Sequence, residues 1–170
     1  MKKIIPVLIF LLLLTTIHSL AQETLGEILP LEGGMVTYSD VVSVDQASAD
    51  ELYLRAKKWF VNTYKSANDV IQLDDKESGE IIGKGNFGIV YYSRDPSIKH
   101  TVSIAVKEGR YKYNITDLVY SDKQGDNFPI EQFPNGWAGK KKLYSSIDTN
   151  VSAIVLSIEK AMKSAKKDDW

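Results

Sequence analysis

The feature that most constrains the fold is the run from Gly79 to Tyr120, in which three strand-like segments are separated by Arg94-Asp95-Pro96-Ser97 and by Glu108-Gly109. Both separators are turn formers, so the run predicts an antiparallel meander. A two-residue loop at Glu108-Gly109 sets Lys107 opposite Arg110. Counting back then pairs Val106 with Tyr111, Ile104 with Tyr113 and Val102 with Ile115. One face of this hairpin is apolar, and the other carries Ser103, Ala105, Lys107, Arg110, Lys112 and Asn114. A slip of one residue would turn the whole apolar row into water, so the register is fixed and the rest of the chain has to cover that row.

The same run contains Gly83-x-Gly85-x-Phe87-Gly88-x-Val90-Tyr91 followed by Ala105-Val106-Lys107, which matches a protein-kinase glycine-rich loop and its strand lysine. A kinase also needs an H-R-D catalytic loop and a D-F-G to hold metal and position the acceptor. Neither occurs, no histidine follows His100, and too few residues follow Lys107 for a second lobe. The stretch reads instead as structure. Gly83 and Gly85 share a strand face with Ile81, Phe87 and Ile89, leaving a trough in which a bulky side chain from a covering helix can approach the backbone.

Ser48-Ala49-Asp50-Glu51 is a capping box, and Leu52, Ala56, Trp59, Phe60 and Thr63 fall on one face of the helix it opens. Before it, Val36 to Val44 alternates as a first strand, with Asp40 interrupting the row where a bulge or strand end is expected. After it, Val70 to Leu73 is a short strand that should pair with the run beginning at Glu80. Ile147, Val151, Ile154, Val155, Ile158 and Met162 trace the apolar stripe of a second helix. Between Tyr120 and that helix lies a long irregular connection, Asp122 to Leu143, rich in proline and glycine and carrying Phe128, Phe133 and Trp137.

At the amino terminus Lys2 and Lys3 precede the apolar run Ile4 to Leu14, and Ser19-Leu20-Ala21 offers small residues before Gln22. That pattern predicts an export signal cleaved near Ala21, leaving a periplasmic or extracellular protein without an integral membrane span, because the apolar run is too short to anchor it. The expected organisation is a signal peptide over 1–21, a lead-in over 22–34, one domain over 35–166 and a tail over 167–170. The chain has no cysteine, so stability must come from its core. Its formal charge of −1 becomes more acidic once Lys2 and Lys3 are removed, which argues against a nucleic-acid partner.

The order strand, helix, four strands, helix predicts an α+β domain, a curved antiparallel sheet of about five strands with two helices on one face. Leu29-Pro30 with Gly34, the strand Val36 to Val44, Glu51-Leu52-Tyr53 with Arg55-Ala56 and Trp59, Gly79-x-Ile81-Ile82-Gly83-Lys84-Gly85, and Tyr111-Lys112-Tyr113 with Thr116-Asp117 carry a resemblance. The chain resembles an exported domain-of-unknown-function family of Bacteroidetes assigned a TATA-binding-protein-like (TBP-like) fold. These are framework residues, so the resemblance implies a fold and brings no activity, cofactor or catalytic residue with it.

Chemistry is sparse in the residues themselves. His100 has no cysteine and no acid at a motif spacing, and reads as a partly exposed residue at a strand start. Asp74-Asp75 reads as a solvated turn, and no cofactor or metal motif is present. The expectation is a non-catalytic binding module for a protein, peptide or glycan of the envelope. Its contacts would come from Phe128, Phe133 and Trp137 of the loop or Lys107, Arg110 and Lys112 of the polar sheet face. Two alternatives stand beside it: an apolar ligand enclosed between sheet and helices, and a hydrolase whose carboxylates, with Asp117, Asp122 and Glu131 as candidates, meet only in the fold.

Overall fold

A computed structural model of the chain describes residues 25–64, 67–91, 94–134 and 136–164. The export signal and the tail read from the sequence lie outside the described residues. Two short strands, β1 (Leu31–Glu32) and β2 (Met35–Val36), form a small hairpin, and β3 follows at Tyr38–Ser43. Helix α1 (Ala49–Thr63) leads through one helical turn at Ala67–Val70 to β4 (Ile71–Asp75), β5 (Glu80–Gly88), β6 (Ser97–Lys107) and β7 (Arg110–Ser121). Strand β8 (Asn127–Pro129), a 3-10 turn (Ile130–Gln132) and helix α2 (Lys140–Lys163) complete the described chain.

Strands β3 to β8 make a six-stranded antiparallel sheet ordered β3-β7-β6-β5-β4, with β8 paired to β7. The hairpin register follows the sequence pattern: Lys107 faces Arg110, Val106 faces Tyr111, Ile104 faces Tyr113 and Val102 faces Ile115. Each member of the apolar row is buried, as a strict two-residue period on one covered face requires. The expected first strand is divided at Thr37, whose amide bonds to the Pro30 carbonyl at 3.0 Å. Val36 thereby joins the small hairpin. Asp40 causes no bulge, since Tyr38 to Ser43 pair in unbroken register with Ile115 to Arg110.

Helix α1 covers the apolar face. Ser48 caps it, its Oγ accepting from the Glu51 amide at 3.2 Å. Among the described residues the reciprocal half of the capping box, from the Ser48 amide to the Glu51 carboxylate, is missing, because Glu51 is drawn to Arg55 at 2.6 Å; the Ala49 amide is held separately by Glu108 from the β6–β7 turn. Leu52, Ala56, Trp59 and Phe60 face the sheet as the helical period demands. Tyr53 joins them, whereas Thr63, expected on that face, is exposed. The rings of Phe60 and Tyr64 occupy the glycine trough: a Cβ at Gly83 would lie 2.5 Å from Phe60 Cε1, and one at Gly85 would lie 2.3 Å from Tyr64 Cε1.

Helix α2 packs beside α1, where Trp59 Nε1 donates to Ser157 Oγ at 2.9 Å, and Tyr38 of β3 donates to Asp148 Oδ1 at 2.8 Å. It begins at Lys140, so its first turn, with buried Leu143 nearby, lies in what the sequence shows as loop. The lysine-rich start hides it, since Gly139 supplies no capping side chain. From the lead-in, Leu25 and Leu29 are also buried in the core.

Candidate functional site

The helices cover one face of the sheet and leave the other open. On β6 every second residue from Ile98 to Val106 is buried, while Lys99, Thr101, Ser103, Ala105 and Lys107 between them are exposed or half-buried. Cross-strand pairing extends this open face across neighbouring strands: Val41, Lys112, Ala105 and Glu80 form one row, and Ser39, Asn114, Ser103, Ile82 and Leu73 the next. A third row joins Thr116, Thr101 and Lys84, and beyond it Lys99 stands beside Asn86. Val41 is 55% exposed and Leu73 39%, which is unusual for apolar strand residues on a covered sheet.

This face is electropositive although the chain as a whole is slightly acidic. Lys84, Lys99, Lys107, Arg110 and Lys112 are all exposed, and none has an ion-pair partner among the described residues. The acids of this face are Glu80 at the start of β5, which already accepts from Ser103 Oγ at 3.0 Å, Asp75 paired with Glu80 on β4, and Asp117 at the far end.

Between β6 and β7 the ladder is broken by a bulge: Lys99 pairs with Val119 and Thr101 with Thr116, so Asp117 and Leu118 stand opposite the single residue His100. Asp117 takes the left-handed conformation (φ 55°) that lets its side chain turn outward while Leu118 stays buried. A hollow of about 410 Å³ opens there, lined by Lys84, Asn86, Lys99, Thr101, Asp117 and Val119 and by the backbones of Gly85 and His100. A larger hollow of about 690 Å³ lies between the outer faces of α1 and α2, over Leu54, Arg55, Lys58 and Trp59.

His100 is not the partly exposed residue its place in the sequence suggests. It sits inside β6, is 2% exposed, and its Nε2 lies 3.0 Å from the Tyr64 hydroxyl. The reason is parity. His100 is two residues from Val102 and shares the covered face, where Gly85 opposite leaves room for Tyr64 and the imidazole together. Among the described residues Nδ1 has no partner at hydrogen-bonding geometry. Burial holds the ring's pKa below the usual histidine range, with the Ile98 carbonyl only moderating the effect. Tyr64 is pushed up to about 12 by the same burial.

Of the residues singled out in the sequence, Lys107, Arg110 and Lys112 stand together at the hairpin end of the open face. Phe128, Phe133 and Trp137 lie on the other side of the sheet and gather around Tyr120. Phe128 stacks on Tyr120 at 5.2 Å, and Phe133 meets Tyr120, Phe128 and Trp137 edge-on at 5.4, 5.5 and 5.0 Å. Phe133 is buried. The Arg94 guanidinium lies 4.5 Å over the Trp137 ring and bonds Asp122 and Asp126 at 2.7 and 2.6 Å. Burial alone would raise the Asp122 pKa, but hydrogen bonds from Arg94, Tyr120 and the Asp126 and Gln124 amides outweigh it and hold the carboxyl low.

The carboxylates proposed for hydrolysis do not assemble. Asp122 is locked to Arg94, Glu131 accepts from the Val36 amide at 2.7 Å, and Asp117 looks out from the bulge. Asp74 accepts from Tyr53 and Lys57, and Asp75 caps its own turn through the Glu77 and Ser78 amides. Among the described residues no group of three histidine or acidic side chains is placed to hold a metal ion, and no helix is long and apolar enough to cross a membrane. Lys84 and Lys99 are the open-face residues that sequence reasoning passed over. Their signal was present in the β5 and β6 alternation, but the kinase-like spacing drew attention to the glycines.

Residues 38–121, from β3 through β7, match the sequence model of a family described as a domain of unknown function (DUF4468) with TBP-like fold. Residues 38–121 belong to the DUF4468 family. Among solved structures it is similar to a TBP-like protein from Parabacteroides distasonis ATCC 8503, with 19% identity, a TM-score of 0.73, and 82% of this chain and 99% of that one covered. It is also similar to a DUF4468 family protein from Bacteroides ovatus ATCC 8483, at 16% identity and a TM-score of 0.69, covering 84% and 94% of the two chains. At such identities the likeness shows the shared fold. No curated protein is significantly similar to the chain. The DUF4468 match contains the open face from β3 through β7 and ends before β8, Phe128, Phe133, Trp137 and α2.

Proposed function

We propose that this DUF4468 domain is an exported, non-catalytic binding module of the cell envelope, and that the open face of its sheet is the contact surface. The observation that carries this reading is the sheet itself. One face is sealed by helices, while the other presents exposed Lys107, Arg110 and Lys112, with Lys84 and Lys99 further along, and no ion-pair partner among the described residues for any of them. Unpaired charge on a preformed, rigid surface favours association with a partner of opposite sign and speeds its encounter. The address follows from the amino-terminal pattern of Lys2, Lys3 and the apolar run before Ala21.

Two measurements test the reading. Sequencing the mature amino terminus should return Gln22, and an intact form beginning at Met1 and held in the inner membrane would overturn the address. A photo-cross-linking side chain placed at Val41 or Lys112 should give discrete adducts in intact envelopes, and charge reversal at Lys107 and Arg110 should abolish them. Equal adducts from Leu54 and Leu156, which are exposed on the helices, would remove the open face as the contact surface.

A further inference from the structure

We infer that the hollow at the β6–β7 bulge is a binding site for an acidic sugar residue, so that the partner of the open face is an acidic polysaccharide. The inference rests on the open face being a contact surface and adds what that surface recognises. Lys84 of β5 pairs with Thr101 of β6, and Lys99 of β6 pairs with Asn86 of β5, which makes the two lysines diagonal neighbours across adjacent strands. Diagonal positions in a sheet are about 7–8 Å apart, within the combined reach of two lysine stems, so both ammonium groups can meet one carboxylate.

What sets this site apart from a merely basic patch is Asp117. At the bulge Asp117 lines the same hollow as the two lysines, Thr101 and Asn86. A ligand that satisfies all of these must offer an anion to the lysines and hydrogen-bond donors to Asp117 within the span of one small ring. A uronic acid does so, because its carboxylate and its hydroxyls share one ring. A phosphate chain supplies acceptors only and is repelled by Asp117. The open face carries no aromatic side chain among the described residues, so unpaired bases have no ring to stack on. An acidic peptide can offer Asp117 only backbone N–H groups, which flexible side-chain stems separate from its carboxylates, whereas the sugar ring holds carboxylate and hydroxyls at fixed spacing. The hollow, at about 410 Å³, falls in the range of small-ligand sites, and the single row of Ser39, Asn114 and Ser103 between it and Lys112 continues a hydrogen-bonding track for further sugar units.

The test is titration of the purified protein with a hexamer of galacturonic acid, beside polyglutamate, polyphosphate, single-stranded DNA and neutral dextran. The hexamer should bind with an affinity that falls as salt rises, and dextran should not bind. Replacing Lys84 and Lys99 together by alanine should weaken the hexamer on the order of ten-fold or more, with an unchanged thermal midpoint because both side chains are exposed. Asp117→Asn should weaken the hexamer while strengthening polyphosphate, a reversal that a non-specific basic patch does not produce. Failure of the hexamer to bind, binding unaffected by the lysine changes, or polyphosphate, polyglutamate or DNA binding as tightly would each overturn the inference. If envelope adducts from Val41 and Lys112 survive such a failure, the contact surface stands and only its ligand is wrong. If the adducts are absent as well, both fall.

Discussion

The two faces of the β5–β6–β7 sheet are made from alternate residues of the same strands, and they obey opposite rules. On the helix side space is the scarce quantity: Gly83 and Gly85 exist so that Phe60 and Tyr64 can touch backbone, and even His100 is enclosed. On the open side charge is the organising quantity. Lys84, Lys99 and Lys112 stand in water with no ion-pair partner among the described residues, and side-chain volume is free to vary. A substitution's effect here therefore depends on the parity of its position before its chemistry. Covered-face changes should be read in stability, and open-face changes in binding.

The largest effect is expected where the covered face closes at its far end. Phe133 is buried against Tyr120, Phe128, Trp137 and Tyr144. Phe133→Ala should cost about 3–5 kcal/mol in a denaturant midpoint analysis, with the Trp137→Ala double variant lower still. Unchanged stability would make the aromatic cluster an exposed contact rather than a lid, and would break the rule that binding belongs to the open face alone. Next comes Gly85→Val, which drives a side chain into the Tyr64 ring and should cost about 1–3 kcal/mol. Ser103→Val, on the opposite face of the neighbouring strand, should stay within about 0.5 kcal/mol of the parent. Equal losses at both sites would erase the contrast.

The pairing of the central hairpin was legible in the sequence down to the residue, because alternation and a two-residue turn leave one solution. The glycine trough was legible too, since two glycines on an apolar strand face have few other uses. The start of α2 was not, because Lys140 to Lys142 are polar and Gly139 is no cap. The bulge at Asp117 escaped for a different reason. It depends on β7 having one residue more than β6 between Thr116 and Val119, a count that is visible only when both strands are laid side by side. The candidate site was therefore half readable: the cations at the hairpin end came from the alternation, and the hollow came from the fold.

Acid should act on the covered face in two separate windows. The His100 pKa is lowered by burial, so between its folded value and the ordinary 6.5 the unfolded chain binds a proton that the folded chain refuses. Stability should then fall as pH drops below about 6.5, and His100→Gln should flatten that segment of the curve. Asp74 and Asp122 are shifted the other way, held low by Lys57 and Tyr53 in one case and, against burial, by Arg94 in the other. Their contribution is complete above the ordinary aspartate value of 3.8 and is lost only as pH falls beneath it. A pH–stability curve of the His100→Gln protein that still declines between 6.5 and 5 would place the sensitive group elsewhere.

The smallest effect on stability is expected at Lys107, and it bears on the kinase-like spacing as well as on the contrast between faces. Lys107 is exposed at the end of β6, opposite Arg110 and beside the Glu108-Gly109 turn. Its side chain lies on the face opposite the glycine trough, whose space is taken by Phe60 and Tyr64, so it does not enter that trough. Lys107→Ala should therefore change stability by less than about 0.5 kcal/mol, and neither protein should bind ATP in equilibrium dialysis. Relieving the like charge opposite Arg110 should even offset part of the lost packing. What Lys107→Ala should change is the salt dependence of binding at the open face, because one unpaired cation fewer means a weaker field along the hairpin end. Saturable ATP binding that disappears in Lys107→Ala would restore the glycine-rich stretch as a phosphate loop. An unchanged salt dependence would confine the contact surface to the Lys84 and Lys99 end of the sheet.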